Sequence, residues 1–186
     1  IILNINSRNE LQAYAQQEKM INTCLQSIML IEEDDEALQT ALRHACEYFN
    51  ATRCYIMAYD YETSQTIPFR EYFSHGSLPL LNSIRPIPFT PNDPWLKFHE
   101  SHRSFLADRA DTPETLAMEG GWAQCVMEHN IKSFACHGIW LGKKLWGSFG
   151  LLFEQDYHTF TQQDKSTLPA FAHMLEIILE RKKKRS

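Results

Sequence analysis

The residue types best suited to chemistry are cysteines and histidines in the second half of the chain. Cys125 and His129 stand four positions apart in a predicted helix, so their side chains share one helix face and could bind the same metal ion. His99 and His102, three positions apart, could add nitrogen ligands. These four residues are the candidates for a zinc or haem-iron site.

Two features argue against a metal site. The CxxC and HxxxH spacings of structural zinc sites do not occur in the sequence. Cys136 and His137 are adjacent in a predicted strand and therefore point to opposite faces of a sheet. Cysteine is also often buried without any function. We therefore expect no metal ligands, and the sequence indicates no particular cofactor.

The distribution of charge limits the partners of the chain. Among 186 residues, 18 are Lys or Arg and 23 are Asp or Glu, a net charge of -5. Five of the basic residues form the run 181–185, so the remainder, with 13 against 23, carries -10. An acidic surface repels phosphate backbones, which argues against a nucleic-acid partner. The basic run is typical of the solvated last turn of a helix.

Cysteine usage and hydropathy predict a cytoplasmic protein. The five cysteines, an odd number at irregular spacing, indicate reduced thiols rather than a disulfide framework. The sequence contains no signal peptide and no run of about 18 apolar residues, so we expect no membrane contact by this segment. Because the chain begins with Ile1 rather than Met, we expect it to be part of a longer protein. The alternative to a cytoplasmic protein is the cytosolic part of a membrane-attached sensor whose anchor lies outside this segment.

Apolar residues at helical spacing predict long helices at both ends of the chain. Helices are predicted over 11–31, over 34–49 and after Thr161. The first and last of them carry narrow stripes with steps of three and four residues, the pattern of helices that pair in coiled coils. The sequence therefore predicts a homodimer through the terminal helices, with an interface formed by Ile21, Leu25, Ile28, Leu168, Phe171, Leu175 and Ile178.

Between these helices the apolar period shortens to about two residues, the period of strands. A proline-rich loop at 76–94, a short helix at 94–99 and a longer helix at 113–129 interrupt the strands. We expect strands at 53–59, 66–73, 104–108, 132–141 and 145–153. Strands bounded by helices at both ends indicate an α+β domain with one antiparallel sheet.

Several segments, taken in order, resemble the GAF domain, a small sensor module of signalling proteins. They are a helix running into ATRCYIMAYD, the segment DPWLKFHESHRSFLADRAD, the hairpin IKSFACHGIWLGKKLWGSFGLLFE, and the Phe-Thr-x-x-Asp start of the last helix at 160–164. The resemblance covers about 36–179. The sequence departs from the family at one point, because the proline usually found near Gly138 is absent.

The resemblance implies a fold and a place for a ligand. The fold would be a central antiparallel sheet of five to six strands, with the N- and C-terminal helices on one face and a short helix, loops and a longer helix on the other. Family members hold small ligands under that second cover. The side chains then expected to line the site are Trp95, Phe98, Phe105, Trp122, Cys125, Val126, His129, Phe134, His137 and Phe149. The alternative is that these side chains only fill the core.

The first residues suggest a neighbouring domain. ILNINSRNELQ resembles the last strand and exit of a PAS domain. We therefore expect 1–32 to be a strand remnant with a signalling helix, and 33–186 to be a GAF-like sensor domain ending in a second signalling helix. This order implies a PAS-GAF sensor, such as a two-component sensor histidine kinase, with an output domain beyond the chain. The segment would be no enzyme and would respond to an unknown small molecule by rearranging its end-helix dimer.

Three other functions occur in related proteins. Phytochrome-like members attach a bilin to a Cys followed by His, but Cys136-His137 lies in a predicted strand rather than at a helix start, so we reject this function. Free methionine sulfoxide reductases of the family use two cysteines, for which Cys125 and Cys136 are candidates. A dimerisation scaffold without a ligand is the third alternative.

Overall fold

Six strands and five helices make up the computed structural model, which describes residues 2–113, 115 and 122–186. The helices are α1 (Ile2–Met29), α2 (Asp34–Phe49), α3 (Pro94–Glu100), α4 (Trp122–Glu128) and α5 (Gln162–Arg185), and a 3-10 turn spans Leu81–Ser83. The strands are β1 (Arg53–Asp60), β2 (Gln65–Phe73), β3 (Ile87–Pro88), β4 (Phe105–Ala107), β5 (Ser133–Leu141) and β6 (Lys144–Phe153). The predicted helix 113–129 lies partly outside the described residues, and α4 is the helix described there.

The strands pair in a single antiparallel sheet, in the order β3-β2-β1-β6-β5-β4. The α+β fold expected from the sequence is thereby confirmed. The β5–β6 hairpin closes at Gly142, whose φ of +63° is a backbone conformation that glycine adopts without a steric penalty. This hairpin and β1 form the middle of the sheet and carry its most buried side chains.

Three helices, α1, α2 and α5, cover one face of the sheet and form what we call the helical layer. Helix α2 begins where the Glu33 side chain accepts hydrogen bonds from the N–H groups of Asp35 and Glu36, and it ends at Asn50 in the left-handed conformation. The core between this layer and the sheet includes Leu38, Leu42, Ile56, Ile139, Phe149 and Phe171, all buried.

Helix α1 runs parallel to α5. Near the start of α5, Gln163 Nε2 donates a hydrogen bond to Ala13 O at 3.2 Å. Near its end, an Arg181 guanidinium nitrogen donates to Ile31 O at 3.0 Å. Residues 6–12 of α1 are exposed ahead of this contact. The chain therefore enters the helical layer at one end and leaves it at the other.

The predicted strand remnant at the start of the chain is wrong. Helix α1 begins at Ile2, so the residues that resemble the end of a PAS strand are helical. No proline or glycine occurs before Pro68, so nothing in the first 29 residues interrupts a helix. A short apolar run without such breaks does not distinguish a strand from a helical turn.

The predicted dimer stripe is also wrong for most of its residues. Ile28, Leu168, Phe171, Leu175 and Ile178 are buried in the core of this one chain, and Ile21 and Leu25 pack against the same core. A stripe with steps of three and four residues suits packing on a sheet as well as packing on a second helix. The stripe therefore seals the helical layer onto the sheet.

The basic run at the end of α5 is more than a solvated helix end. Arg181 Nε donates to Asp34 Oδ1 at 2.6 Å, and Lys182 Nζ donates to Asp35 Oδ1 at 2.5 Å. Arg185 NH1 donates to the backbone oxygen of Glu32 at 2.6 Å. Parallel packing of α1 and α5 brings the basic end of α5 against the acidic start of α2. The contacting residues are 147 positions apart, so their spacing in the sequence does not indicate the contact.

No helix in the described part of the chain is both long enough and apolar enough to cross a membrane.

Candidate ligand-binding site

The sheet face opposite the helical layer carries the candidate site. Side chains of β1, β4, β5 and β6 meet α4 and the loop after β2 in a buried cluster that includes Tyr55, Met57, Leu81, Phe105, Trp122, Cys125, Val126, Phe134, Cys136 and Leu152. Beside it, a smaller cluster joins α3 to the sheet through Tyr59, Phe89, Trp95, Leu96 and Leu145. The cover of this face is thus largely apolar and aromatic.

A buried hydrogen-bonded group lies within these apolar surroundings. The Tyr59 hydroxyl and His99 Nδ1 are 2.8 Å apart, and the Ser148 side chain also hydrogen-bonds to Tyr59. Burial lowers the pKa of His99 to about 3 and raises the pKa of Tyr59 well above its usual value. Both side chains are therefore uncharged at neutral pH.

Helix α3 approaches the sheet closely because Gly138 has no side chain. A Cβ atom at Gly138 would lie 3.0 Å from His99 Cβ and 2.9 Å from Leu145 Cδ1, closer than carbon atoms pack. This glycine allows His99 to lie directly on β5. The geometry of the buried polar group therefore depends on it.

A small cavity lies beside the buried polar group. Its volume is about 10 Å³, which is room for one water molecule. We call it the polar chamber, and it is lined by Tyr55, Tyr59, Trp95, His99, Trp122, Cys136 and Ser148.

A second, larger space is open to solvent. It is a groove of about 600 Å³ between α4 and the segment 83–88, which we call the groove loop. Such a volume lies within the roughly 300–1,000 Å³ of small-molecule sites. The groove is lined by Ser83, Ile84, Arg85, Pro86, Ile87, Pro88, Gln124, Cys125, Glu128 and His129.

A buried ion-pair network fixes the chain just ahead of the groove loop. Arg53 contacts Glu71 Oε2 and Glu154 Oε2, each at 3.1 Å. The other oxygen of Glu71 accepts hydrogen bonds from the N–H groups of Leu80 at 3.0 Å and Leu81 at 3.1 Å. The position of the groove loop therefore depends on β2 through one carboxylate.

Eight of the ten predicted ligand residues lie on this face. Trp95, Phe98, Phe105, Trp122, Cys125, Val126 and Phe134 belong to its clusters, and His129 lines the groove. Their role in binding remains a prediction. Cys125 also lines the groove, but among the described residues no group of three His, Cys, Asp or Glu side chains could hold a metal ion.

The placement predicted for Phe149 and His137 is wrong. Phe149 is fully buried in the core under the helical layer. His137 pairs with Phe149 across the β5–β6 ladder, and side chains of paired residues point to the same face. His137 instead lies 2.8 Å from the Ser104 hydroxyl, through Nδ1. Apolar runs on central strands are buried on both faces, so hydrophobicity alone does not assign a face.

Sequence reasoning missed Tyr59 and Ser148 and considered His99 only as a metal ligand. One signal could have indicated Tyr59, because Tyr55, Met57 and Tyr59 follow at a period of two and share a face. Nothing in the sequence indicates the contact between Tyr59 and His99, because 40 positions separate them.

Comparison with known proteins gives a family and a set of similar folds. The family model described as GAF domain matches residues 34–179. No curated protein matches the chain at a significant level.

Three solved structures illustrate the similarity of fold. A far-red-absorbing protein in its dark state with bound biliverdin has a TM-score of 0.71 at 15% identity, over 88% of this chain and 98% of that chain. The GAF domain of an Acinetobacter phosphoenolpyruvate-protein phosphotransferase has a TM-score of 0.65 at 11% identity, over 91% and 96%. Free methionine-R-sulfoxide reductase from Neisseria meningitidis, in complex with its substrate, has a TM-score of 0.66 at 13% identity, over 92% and 93%. Identities this low show a shared fold alone.

Proposed function

The chain belongs to the GAF domain family, and from this we propose that it is a regulatory module that senses a small molecule within a larger signal-transduction protein. The observation that supports this most is the groove of about 600 Å³ opposite the helical layer. Structures of the same fold hold biliverdin in one case and an enzyme substrate in another, which supports a small-molecule site in this fold. Neither ligand is assigned to this chain.

The transmission that we propose runs through β2. The groove loop is joined to β2 at its far end, where Ile87 pairs with Thr66, and near its start, where Glu71 holds Leu80. On the other face of the sheet, Arg70 donates to Asp35 of α2, which also accepts a hydrogen bond from Lys182 of α5. A ligand that binds one position of the groove loop better than another would thereby shift α5 between two positions.

A homodimer through the terminal helices remains our proposal, but on a different surface. Leu11 and Tyr14 of α1 are 70% and 61% exposed. They lie just before and just after Ala13, where α1 contacts the start of α5. They are three positions apart, so they lie on one helix face. Pairing with α1 of a second copy would remove both side chains from water.

The larger protein that we propose is a cytoplasmic two-component sensor, such as a histidine kinase. The parallel course of α1 and α5 supports a place between two other domains, because it carries the chain from one end of the module to the other. A preceding PAS domain would complete the proposal. This part of the proposal rests only on the resemblance of the first residues to the exit of a PAS domain, because the structure shows those residues in helix α1 rather than in a strand.

The experiment that tests sensing is native mass spectrometry of the freshly purified chain, combined with an absorption spectrum. We expect an added mass that is released on denaturation. Gln124→Trp, which fills the groove from α4, should remove that mass. Met127→Trp is the matched control, because Met127 lies on the same helix, is 70% exposed and does not line the groove. A bare protein that gains no mass from any cell extract would favour the ligand-free scaffold.

One observation keeps a second candidate open. Cys125 and Cys136 belong to the same buried cluster, so two thiols lie on the sheet face opposite the helical layer. In the free methionine sulfoxide reductase reaction, two thiols lose two electrons and two protons, forming a disulfide, while the sulfoxide becomes methionine and water. A thiol-dependent reduction of free methionine sulfoxide that is lost in Cys136→Ser would establish this enzyme activity in place of sensing.

A further inference from the structure

The polar chamber contains hydrogen-bonding groups without any charged one. Tyr59, His99, Trp95 and Ser148 bring hydroxyl and ring N–H groups to a space otherwise lined by aromatic and thiol side chains. None of its lining residues, all in the described part of the chain, is Asp, Glu, Lys or Arg. Arg53 and Glu71, which border a neighbouring space together with Tyr55 and Trp122, pair with each other at 3.1 Å.

Two side chains that line this chamber each carry a polar atom with no partner among the described residues. These atoms are Trp95 Nε1 and His99 Nε2, on side chains that are 4% and 2% exposed. Trp95 Nε1 can only donate a hydrogen bond, whereas His99 Nε2 donates or accepts according to the direction of the bond between Nδ1 and Tyr59. Buried polar atoms in proteins are normally hydrogen-bonded, so a water molecule or a ligand group completes this pair.

We infer that the polar chamber recognises an uncharged polar group of the sensed molecule, a carbonyl or amide, and excludes carboxylates, phosphates and ammonium groups. This inference rests on the sensing function proposed above. A carbonyl oxygen satisfies the Trp95 donor, and an amide satisfies either tautomer of His99. A charged group would lose its hydration here without meeting an opposite charge.

The size of the chamber sets the size of the recognised group. Room for one water molecule is room for one carbonyl oxygen or one amide nitrogen, not for a whole ligand. Trp122 lines the chamber, and Cys125 on the same helix lines the groove. The body of the molecule therefore lies beside α4, with its polar end in the chamber.

The test uses acetamide as the probe and acetate as its charged counterpart of the same size. In ¹⁵N-labelled protein, the indole N–H signal of Trp95, assigned with Trp95→Phe, should shift saturably with acetamide in the millimolar range. Acetate should leave it unchanged. Tyr59→Phe, which keeps the ring but removes the hydroxyl, should weaken the acetamide response several-fold. The indole signal of Trp146, which packs against the core under the helical layer, should stay in place.

An acetate shift equal to that of acetamide, or no shift of Trp95 with acetamide, would overturn the inference. His99→Phe distinguishes this failure from failure of the sensing function. If an added mass in native mass spectrometry survives both His99→Phe and Tyr59→Phe but is lost in Gln124→Trp, the module senses a ligand that the polar chamber does not hold. A well-dispersed spectrum of each variant confirms that it is folded.

Discussion

Arg70 and Glu71 are neighbours on β2, yet they act on opposite faces of the sheet. Glu71 accepts from the N–H groups ahead of the groove loop, while the Arg70 guanidinium donates to Asp35 at 2.9 Å. Asp35 also accepts from Lys182 on α5 at 2.5 Å. The hydrogen bond from Lys182 is the main cause of a lowered pKa for this carboxyl. Two consecutive residues thus connect the candidate site with α5.

Breaking this connection should affect α5 without affecting the groove. Arg70→Gln removes the charge that joins β2 to Asp35. Because the pair is partly exposed, we expect a loss of less than about 1 kcal/mol in the free energy of unfolding. Amide hydrogen exchange at 181–185 should rise, while exchange in the groove loop stays as in the wild type. Arg43→Gln, exposed on α2, is the control. Unchanged exchange at the end of α5 would contradict the proposed route.

Glu71→Ala should weaken both the fold and the groove loop. It leaves Arg53, which is 5% exposed, with Glu154 as its one carboxylate partner among the described residues, and it leaves two backbone N–H groups without their acceptor. We expect a loss of about 3 kcal/mol, measured by urea unfolding. Hydrogen exchange should increase at Leu80 and Leu81 more than in the helical layer. The exposed Glu62→Ala should change neither quantity.

Gly138→Ala should displace α3 from the sheet. The added methyl group meets His99 and Leu145 at distances that require one of them to move. We expect a cost of about 1–3 kcal/mol and a change in the Trp95 indole signal, because Trp95 is on the same helix. Adding Leu145→Ala removes one of the two clashes and should restore the Trp95 signal in part. A stable variant with wild-type spectra would show that α3 does not depend on this glycine.

Stability should fall with pH before the carboxylates titrate. Burial lowers the pKa of His99 to about 3 and of His137 to about 4, against about 6.5 in an unfolded chain. As pH falls through 6.5, the unfolded chain binds protons on these rings before the folded chain does. The contribution of these two uncharged histidines to the free energy of unfolding is therefore fully present above about pH 6.5. It is lost as the pH falls towards 4 for His137 and towards 3 for His99, by at most about 1.4 kcal/mol per pH unit for each histidine.

Urea unfolding at pH 7.5, 6 and 5 measures this slope. His99→Phe should reduce it by the share of one histidine, whereas the exposed His75→Gln should leave it unchanged. A slope that is the same in all three proteins would contradict the assignment to buried histidines.

A carboxylate should have different effects at a buried and at an exposed position of the terminal helices. Leu175→Asp places a carboxylate in the core of one chain, and we expect an unfolded or barely folded protein, with a loss of at least about 3 kcal/mol. Tyr14→Asp changes an exposed residue of α1 and should keep the fold, shown by circular dichroism. Sedimentation should then show a monomer where the wild type is a dimer. An unchanged dimer in Tyr14→Asp would contradict the proposed surface.

Local patterns predicted most of the secondary structure. The strand 53–59 and the hairpin 132–153 were predicted to within a few residues, because alternation and a glycine turn are encoded by neighbouring residues. The first residues were predicted as a strand although they are helical, since a short apolar run fits both.

The sequence by itself determined the α+β class, the family and eight of the residues on the sheet face opposite the helical layer. Only the tertiary structure decided which stripes are core, which face Phe149 and His137 occupy, and that Tyr59 meets His99. The physical reason is the distance along the chain between the residues that interact. Periodicity and capping depend on residues within a turn or two of each other, whereas the Arg181–Asp34 and Tyr59–His99 contacts join residues 147 and 40 positions apart. Such contacts arise only once the sheet has paired and the helices have packed on it.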